Sequence, residues 1–331
     1  MSGGGITTAT VPCRACLSGE DLDWLGGRSV SLALDLTTTV EIAPLSGEQR
    51  EQRDRQGQQR DRPETEGGWP LQVWDFLRDR IPGLAPAPPS VTVRSDAPAA
   101  SGLSSSTALI VALFRAYTEA RAPLPGISAA TLAQWAYEFE FAHFNGGGMD
   151  HLAVIEGGAL LLEGRSTGLP AVTGRSGLPD GWSVVVVDSA TRKDTSDHIK
   201  VVRAQLADRD PALARYLKEA DDASAAAWEA IGAGDLPGLA TAMHRAHTTM
   251  RDQQGMSTPL LEELREGALH ATGLRLKLSG AGGGGALVGI CETAGLDDTV
   301  RELRRALAAT HPAARVIPTR AAAGATPDGA D

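Results

Sequence analysis

The chain carries Pro98-Ala99-Ala100-Ser101-Gly102-Leu103-Ser104-Ser105-Ser106-Thr107-Ala108, a serine-rich loop that runs directly into an apolar segment. Its glycine permits backbone conformations that are closed to other residues, and the three consecutive serines supply hydroxyl groups. The first turn of a helix beginning at Thr107 has unpaired amide groups, which favour an anion in front of them. The stretch therefore predicts a phosphate-binding loop, and an ordinary serine N-cap is the alternative interpretation.

The length and charge of the chain restrict what the protein can be. At 331 residues it exceeds what a single hydrophobic core usually fills, so two domains that share a cleft are expected. It has 31 Lys and Arg against 41 Asp and Glu, a formal net charge of −10, which disfavours nucleic acid as a partner. An acidic protein still binds ATP where magnesium and helix N-termini supply local positive charge.

The cysteines and the first residues of the chain indicate the cellular compartment of the protein. Cys13, Cys16 and Cys291 are too few for a disulfide framework and are typical of a reducing environment. The Cys-x-x-Cys pair lacks the second pair of ligands that a structural zinc site needs. Residues 1–11 lack the basic and apolar regions of a signal peptide, and no apolar run reaches the roughly 20 residues of a membrane span. We therefore expect a cytoplasmic protein without a membrane partner.

The first part of the chain is predicted to open with strands. They are expected at residues 11–17 and 28–42, and a short strand at 91–94 leads into the serine-rich loop. Residues 48–66 are almost wholly charged or polar, which indicates a flexible insertion. A helix at 70–80 follows this insertion.

Beyond the loop, the patterns predict an α+β fold of two domains. Helices are expected at residues 107–121, 128–142, 197–207, 211–231, 239–254, 258–271 and 297–311, and strands at 159–163, 182–187, 273–278 and 286–291. The change of pattern after Asp188 divides the chain into a domain over 1–188, a domain over 189–318 and a disordered tail over 319–331. Residues 188–198 are a candidate for the rim of the active site.

A second glycine-rich stretch spans residues 277–286 and contains Gly280, Gly282 and Gly285 in a G-x-G-x-x-G pattern. A dinucleotide-binding fingerprint requires a helix after the glycines, whereas residues 286–290 have the pattern of a strand. A turn between two strands is therefore the better interpretation. No Gly-Lys-Ser or Gly-Lys-Thr occurs in the chain, so any bound ATP is held without a P-loop lysine.

Three segments together resemble the motifs of the GHMP kinase superfamily, which is named for galactokinase, homoserine kinase, mevalonate kinase and phosphomevalonate kinase. They are residues 12–27, 98–108 and 277–286, and their order and spacing agree with the family. The resemblance covers most of the chain. It implies an N-terminal domain similar to domain 2 of ribosomal protein S5, followed by a ferredoxin-like α+β domain, with the active site between the two.

Within the superfamily the resemblance is to the galactokinase branch. Residues 102–106 are similar to that branch's phosphate loop, and Gly148-Met149-Asp150 is similar to its active-site segment. Two positions of the first motif depart from the branch, since Asp21 stands where His is usual and Trp24 where Tyr is common. The glycine-rich stretch is more similar to that of mevalonate kinases, so galactose itself is not implied as the acceptor.

The resemblance also implies roles for individual residues. Asp150 would orient or deprotonate the acceptor hydroxyl, and Arg14 would keep it ionised and stabilise the transferring charge. Acceptor-binding residues are implied at Glu20, Asp21, Asp23, Gly148 and Asp150. Acids in such a site favour the hydroxyls of a polyol and disfavour an acceptor that bears a carboxylate.

The same resemblance assigns the nucleotide and metal sites. The residues implied to contact ATP phosphates are Ser101, Gly102, Leu103, Ser104, Ser105, Ser106, Gly282 and Gly283. Magnesium would be held by the hydroxyl of Ser106 and the carboxylate of Glu138, with Glu140 as the alternative carboxylate.

These expectations describe an ATP- and Mg²⁺-dependent kinase that transfers the γ-phosphoryl group of ATP to a hydroxyl of a sugar or cyclitol, by resemblance the anomeric one. A kinase of a non-sugar alcohol, similar to mevalonate or homoserine kinase, is the first alternative. A non-catalytic sensor that binds sugar and ATP is the second. The sequence leaves open the identity of the acceptor and the oligomeric state, monomer or homodimer.

Overall fold

A computed structural model describes residues 7–42, 68–86, 88–119, 127–192 and 195–325. The predicted insertion over 48–66 and the last six residues of the predicted tail lie outside these ranges. The described residues form ten α-helices and nine strands, and the strands build two separate antiparallel sheets. The α+β prediction is confirmed.

Five strands form the first sheet. They are β1 (Thr7–Ser18), β2 (Arg28–Ile42), β3 (Val91–Ser95), β4 (Ala159–Glu163) and β5 (Ala171–Ser176). The sheet has the order β1-β2-β4-β5, and β3 also pairs with β2. The 15 residues of β2 organise the sheet, because one edge pairs with β1 while the other pairs with β4 near its start and with β3 near its end.

Helices cover this sheet and connect its strands. They are the short α1 (Leu22–Leu25), then α2 (Gly68–Arg78), α3 (Ser105–Glu119), α4 (Ala129–Phe144) and α5 (Met149–Glu156). Helix α3 is the central one, because its fully buried Ile110, Leu113 and Phe114 belong to the core that it forms with β1 and β2. The residue before α4, Ser128, caps it by accepting a hydrogen bond from the amide of Thr131 at 3.1 Å.

The second sheet contains β6 (Trp182–Asp188), β7 (Lys277–Leu278), β8 (Ala286–Glu292) and β9 (Arg315–Thr319), in the order β7-β8-β6-β9. Strand β6 pairs on both edges, with β8 and β9, and its two faces pack into two different hydrophobic clusters, which explains why its four consecutive valines are fully buried. The predicted domain boundary after Asp188 therefore needs correction, since β6 belongs to the second sheet.

Five helices accompany the second sheet. They are α6 (Thr195–Ala207), α7 (Pro211–Ala233), α8 (Leu236–Gln254), α9 (Pro259–Thr272) and α10 (Leu296–Thr310). Local sequence sets the ends of α7, α8 and α9, because each has a capping side chain and an early proline at its start and a left-handed glycine at its end. No helix in the described part of the chain has the length and apolar character needed to span a bilayer.

The two sheets share apolar packing. Val184 and Val186 of β6 lie in the same buried cluster as Leu32 and Leu34 of β2. Helix α7, from the second half of the chain, also contacts β1 and β2. This shared core fixes the two halves against each other and leaves a cleft along one side of their junction.

The end of the chain returns to the first sheet. Ala321 pairs with Leu34 and Ala323 with Gly157, and Ala325 is only 4% exposed. The predicted disordered tail over 319–331 is therefore wrong for residues 319–325. The small residues of this segment fit because their backbone amides and carbonyls hydrogen-bond to the sheet, a partnership that a local pattern does not reveal.

A chain that ends at Arg320 is expected to be less stable than one that ends at Ala325. It loses three backbone hydrogen bonds, Ala322 N to Ala33 O, Gly158 N to Ala322 O and Ala325 N to Val154 O. At about 0.5–1.5 kcal/mol each, the free energy of unfolding should fall by about 2–4 kcal/mol. Urea unfolding of the two chains measures the difference, and equal midpoints would contradict the docking of this segment.

Candidate active site

A cleft of about 580 Å³ lies where the two halves of the chain meet. Its walls include the end of β1 with the start of α1, the serine-rich loop before α3, the end of α4, the N-terminal turn of α5, the start of α6, and the glycine turn between β7 and β8. We define this glycine turn as residues 279–285. The cleft thus brings together all three segments on which the sequence analysis relied.

The serine-rich loop is bent so that it faces the cleft. Gly102 and Ser104 have φ angles of 78° and 56°, in the left-handed region that glycine tolerates best. A side chain on Gly102 would collide with the backbone carbonyl of Ser279, so the loop and the glycine turn lie in direct contact. Helix α3 begins at Ser105, and its first-turn amides, which lack intrahelical partners, lie at the cleft.

One hydroxyl in this loop has no protein partner. Ser101 is 1% exposed, and its Oγ makes no hydrogen bond within the described part of the chain, although the residue lines the cleft. A buried hydroxyl without a partner is costly, and a phosphate oxygen would satisfy it. Together with the helix N-terminus of α3, this orphaned donor fits the triphosphate of a nucleotide.

Arg14 and Asp150 form the polar centre of the cleft. Arg14 Nε donates to Asp150 Oδ1 at 2.8 Å, Arg14 Nη1 donates to Gly102 O at 2.7 Å, and Ser104 Oγ donates to Asp150 Oδ2 at 2.5 Å. Burial raises the pKa of Asp150, but the Arg14 charge and the Ser104 hydroxyl outweigh it and hold the pKa below its ordinary value. Asp150 is therefore an ionised carboxylate that is fixed against the phosphate loop.

Glu20 lies at the opposite end of β1 from the chain start and meets a lysine that the sequence analysis did not single out. Lys277, fully buried, donates to a carboxylate oxygen of Glu20 and also to Cys16 O at 3.2 Å and Leu278 O at 2.7 Å. The other carboxylate oxygen, Oε2, is buried and has no partner among the described residues. Glu20 lines the cleft, but this oxygen is shielded from solvent.

Asp21 and Asp23 flank the same end of the cleft. Asp21 Oδ2 lies 2.7 Å from His198 Nε2, and Trp24 Nε1 donates to Asp21 Oδ1 at 3.3 Å. Asp23 accepts a hydrogen bond from the backbone amide of Met149 at 2.9 Å, and burial raises its pKa to about 7. The candidate rim segment therefore contributes His198 as a cleft residue.

Three residues implied for binding lie elsewhere. Leu103 is fully buried in the core, and only its backbone carbonyl approaches the site, as the acceptor for the amide of Arg14. Gly282 and Gly283 pack against Met256 instead of the cleft, which is lined by Gly280 and Ala281. The turn reverses direction after Ala281, so only its first half faces the cleft.

Gly148, which was implied to bind the acceptor, also does not line the cleft. Its Cα faces Leu169 and Pro170, where a side chain would clash, so it is a packing position and not an acceptor contact. The cleft is lined instead by Gly146 and Gly147, and a side chain on Gly147 would collide with the Asp23 carboxylate. Close packing therefore requires glycine at both positions 147 and 148.

The predicted magnesium carboxylate Glu138 points away from the cleft. Its side chain is 40% exposed and accepts hydrogen bonds from Arg80 at 3.1 Å and Gln134 at 2.9 Å. Glu140 lines the cleft instead, and accepts from Thr107 Oγ1 at 2.9 Å. Residues two apart on a helix do not share a face, so only one of the two can reach the site. Glu138, predicted as a magnesium ligand, therefore lies outside the cleft, and of the two candidate carboxylates only Glu140 faces it.

His151 is a cleft residue that the sequence analysis missed. It is 2% exposed, and its Nε2 lies 2.8 Å from Glu140 Oε2. No group of three or more His, Cys, Asp or Glu side chains converges as a metal site within the described residues. A magnesium ion near Ser106 and Glu140 would accordingly take its other ligands from phosphate oxygens and water, as this ion commonly does.

Known proteins resemble the chain in both of its halves. The profile for the GHMP kinases N terminal domain matches residues 70–158, and that for the GHMP kinases C terminal domain matches residues 227–311. A galactokinase of Chloroflexus aggregans is 28% identical over 88% of this chain and 85% of its own length.

Solved structures share the fold. The Lactococcus lactis galactokinase complexed with galactose superposes with a TM-score of 0.75 at 16% identity, covering 97% of this chain and 95% of that one. The Methanococcus jannaschii mevalonate kinase gives 0.77 at 18% identity, covering 96% and 99%. The two domain profiles span more than half of the chain and include both the phosphate loop and Asp150. The chain therefore belongs to the GHMP kinase family and is a phosphotransferase with an alcohol group as acceptor.

Proposed function

We propose that this protein is an ATP- and Mg²⁺-dependent kinase of a sugar or cyclitol, and that it phosphorylates the anomeric hydroxyl. The observation that carries the proposal is the contact of Asp150 with Arg14 and Ser104. It fixes an ionised carboxylate beside the phosphate loop, where an acceptor hydroxyl and a γ-phosphate can meet in line. Phosphoryl transfer depends mainly on such positioning and on charge neutralisation.

The residues around the loop supply the nucleotide site. The first-turn amides of α3, the orphaned Ser101 hydroxyl and the close glycine turn fit a triphosphate. Ser106 and Glu140 offer a hydroxyl and a carboxylate to magnesium, which neutralises phosphate charge when it is bound. Arg14 adds a fixed positive charge next to the transferring group.

Asp150 handles the acceptor hydroxyl. Because its pKa is lowered, it is ionised at neutral pH and accepts a hydrogen bond from the incoming O–H group. This orients an oxygen lone pair toward the γ-phosphorus and gives the departing proton a place to go as the new P–O bond forms. Arg14 keeps Asp150 in position through two contacts on the same carboxylate oxygen.

A cluster of carboxylates, which accept hydrogen bonds from hydroxyl groups, supports a polyol as the molecule that is phosphorylated. Glu20 lines the cleft, and Asp23 and the Asp21–His198 pair lie beside it. Carboxylates bind vicinal hydroxyls well, because each oxygen accepts a charge-assisted hydrogen bond. The relative from Chloroflexus aggregans is named a galactokinase, which supports a sugar and the anomeric position.

The test is ADP release with ATP and magnesium across neutral sugars, cyclitols, uronic acids, mevalonate and homoserine, with ³¹P NMR of any product. We expect turnover of a neutral polyol and a phosphate on its anomeric carbon. Faster turnover of mevalonate or homoserine than of every polyol would contradict the proposal. Binding of ATP without turnover of any acceptor would favour a sensor.

The raised pKa of Asp23 predicts a stability cost. Between pH 4 and 7 the folded protein holds a proton on Asp23 that the unfolded chain has released, so this residue makes stability fall as pH rises, by up to about 1.4 kcal/mol per pH unit. Asp23→Asn resembles the protonated acid and should be the more stable protein at pH 8, with the gap narrowing toward pH 4. Urea unfolding from pH 4 to 8 measures the gap, and a pH-independent difference would refute the shift.

A further inference from the structure

A partly buried polar network lies behind the glycine turn, on the side away from the cleft. Its hub is Glu262 on α9, which accepts hydrogen bonds from His247 Nε2 at 2.7 Å, from Arg265 Nη1 at 2.5 Å and from Ser257 Oγ. His247 is fully buried. None of these side chains lines the cleft, so the mechanism above does not use them.

The network holds the strand that enters the glycine turn. His247 Nδ1 accepts a hydrogen bond from the backbone amide of Leu278 at 3.1 Å, and Arg265 Nε donates to the carbonyl of Leu276 at 2.9 Å. Strand β7 has only two residues, so its ladder to β8 is short. The His247 and Arg265 side chains supply the fixing contacts that a longer strand would provide for itself.

The same carboxylate also fixes the far side of the turn. Ser257, which donates a hydrogen bond to Glu262, directly follows Met256. The carbonyl of Met256 accepts a hydrogen bond from the amide of Gly283 at 2.6 Å. Gly282 lies so close to Met256 that a side chain there would clash. Both ends of the turn are therefore tied, through His247 and Ser257, to one carboxylate.

The glycine turn and the residue that follows it contact the phosphate loop. The amide of Ala286 donates to Ser101 O at 2.7 Å, and Ser279 Oγ donates to Gly102 O at 3.1 Å. These contacts join the turn to the two residues whose conformation sets the phosphate cradle. A shift of the turn by a fraction of an ångström would move both carbonyls.

The ionisation states make the network rigid at neutral pH. Burial lowers the pKa of His247 to about 3, and the positive charge of Arg265 adds to this, so the ring is neutral. Burial raises the pKa of Glu262, but hydrogen bonds from Ser257 and His247 and the Arg265 charge lower it to about 2. A neutral ring that accepts from Leu278 on Nδ1 carries its proton on Nε2, facing Glu262.

We infer that His247 and Glu262 are positioning residues of the nucleotide site, which set the affinity for ATP and ADP by holding the glycine turn against the phosphate loop. The inference rests on the proposed nucleotide site. It assigns a role in phosphate binding to two side chains that do not contact the cleft. Acceptor binding, which depends on the opposite end of the cleft, should be insensitive to them.

Two conservative variants separate the two hydrogen bonds of His247. Asparagine places an amide oxygen near Nδ1 and keeps an acceptor for Leu278, whereas glutamine places an amide N–H near Nε2 and keeps the donor to Glu262. We expect His247→Gln to raise the Kd for ADP and the KM for ATP about tenfold. His247→Asn keeps the contact with Leu278 but loses the bond to Glu262, so it should raise them about threefold, and both variants should leave the acceptor KM within twofold.

Further variants test the second contact of the turn and guard against loss of fold. Ser257→Ala removes the hydroxyl that bonds Glu262, next to Met256, and should weaken ADP binding about threefold. His311→Asn removes a comparable His–Glu contact at the surface, where His311 Nε2 lies 3.0 Å from Glu263, and should change nothing. Circular dichroism and thermal unfolding establish that each variant is folded before its binding is compared.

The outcomes distinguish the two proposals. Absence of ADP binding by the unaltered protein overturns the proposed function and this inference with it. Normal ADP binding in the unaltered protein, with unchanged affinity in folded His247→Gln and Ser257→Ala, overturns this inference alone. Equal losses in ADP affinity, acceptor KM and kcat would also overturn it, because they indicate a general structural role.

Discussion

Replacement of Asp150 by asparagine is expected to lower kcat by about 10²–10⁴-fold, the range that a positioned proton acceptor contributes. Asparagine keeps the size of the side chain but neither takes a proton nor holds Arg14 by charge. The KM for ATP should change little, because the nucleotide is held by the phosphate loop and not by Asp150. Initial rates at saturating ATP with the best acceptor of the panel measure the effect.

Loss of fold is the competing explanation for such a result. Removing Asp150 leaves Arg14, which is 5% exposed, as a buried charge without its partner, and breaking a buried pair commonly costs about 3–5 kcal/mol. Thermal unfolding and ADP binding therefore accompany the rate measurement. Ser104→Ala is the matched control, since it removes the 2.5 Å bond to Asp150 and keeps both charges. A kcat for folded Asp150→Asn within tenfold of the unaltered protein would remove Asp150 from the chemical step.

Glu140→Gln is expected to lower kcat by about 10²-fold or more and to raise the magnesium concentration needed for half-maximal rate. The amide keeps the bond from Thr107 but offers magnesium a neutral oxygen in place of a charged one. The rate as a function of magnesium concentration measures both effects. Manganese, which prefers similar oxygen ligands, should partly restore the rate.

Glu138→Gln is the matched control on the same helix. Glu138 is paired with Arg80 at the surface, and exposed pairs of this kind contribute about 0–1 kcal/mol to stability. Its replacement should leave kcat and the magnesium requirement within twofold. The opposite pattern, with Glu138 sensitive and Glu140 tolerant, would show that the cation binds outside the cleft described above.

The sequence analysis predicted most elements because their signals are local. Serine at the start of α4, aspartate or threonine with an early proline at the starts of α7, α8 and α9, and glycine at the ends of these three helices mark boundaries within a few residues. The elements it missed, α1, α5, β5 and β9, are short, and β9 forms a strand only by pairing with β6, far away in the chain.

The residues of the candidate site also divide into those that the sequence predicted and those that only the tertiary structure reveals. The phosphate loop, Arg14 and Asp150 were predicted from motif order, and the structure brings them within hydrogen-bond distance of one another. Lys277 and His151 were not predicted as site residues, and His198 was predicted only as part of the candidate rim segment. Each lies next to a carboxylate of the site, and this contact is visible only in the tertiary structure.

By itself, the sequence determined the fold class, the family and the location of the serine-rich loop, because glycine and serine patterns act on the backbone nearest to them. The tertiary structure alone decided that Glu140 and not Glu138 faces the cleft, that β6 belongs to the second sheet, and that residues 321–325 dock on the first. These choices depend on the rotation of a helix and on pairing between distant segments. Only the packed core fixes those quantities, since no single stretch of sequence contains both partners.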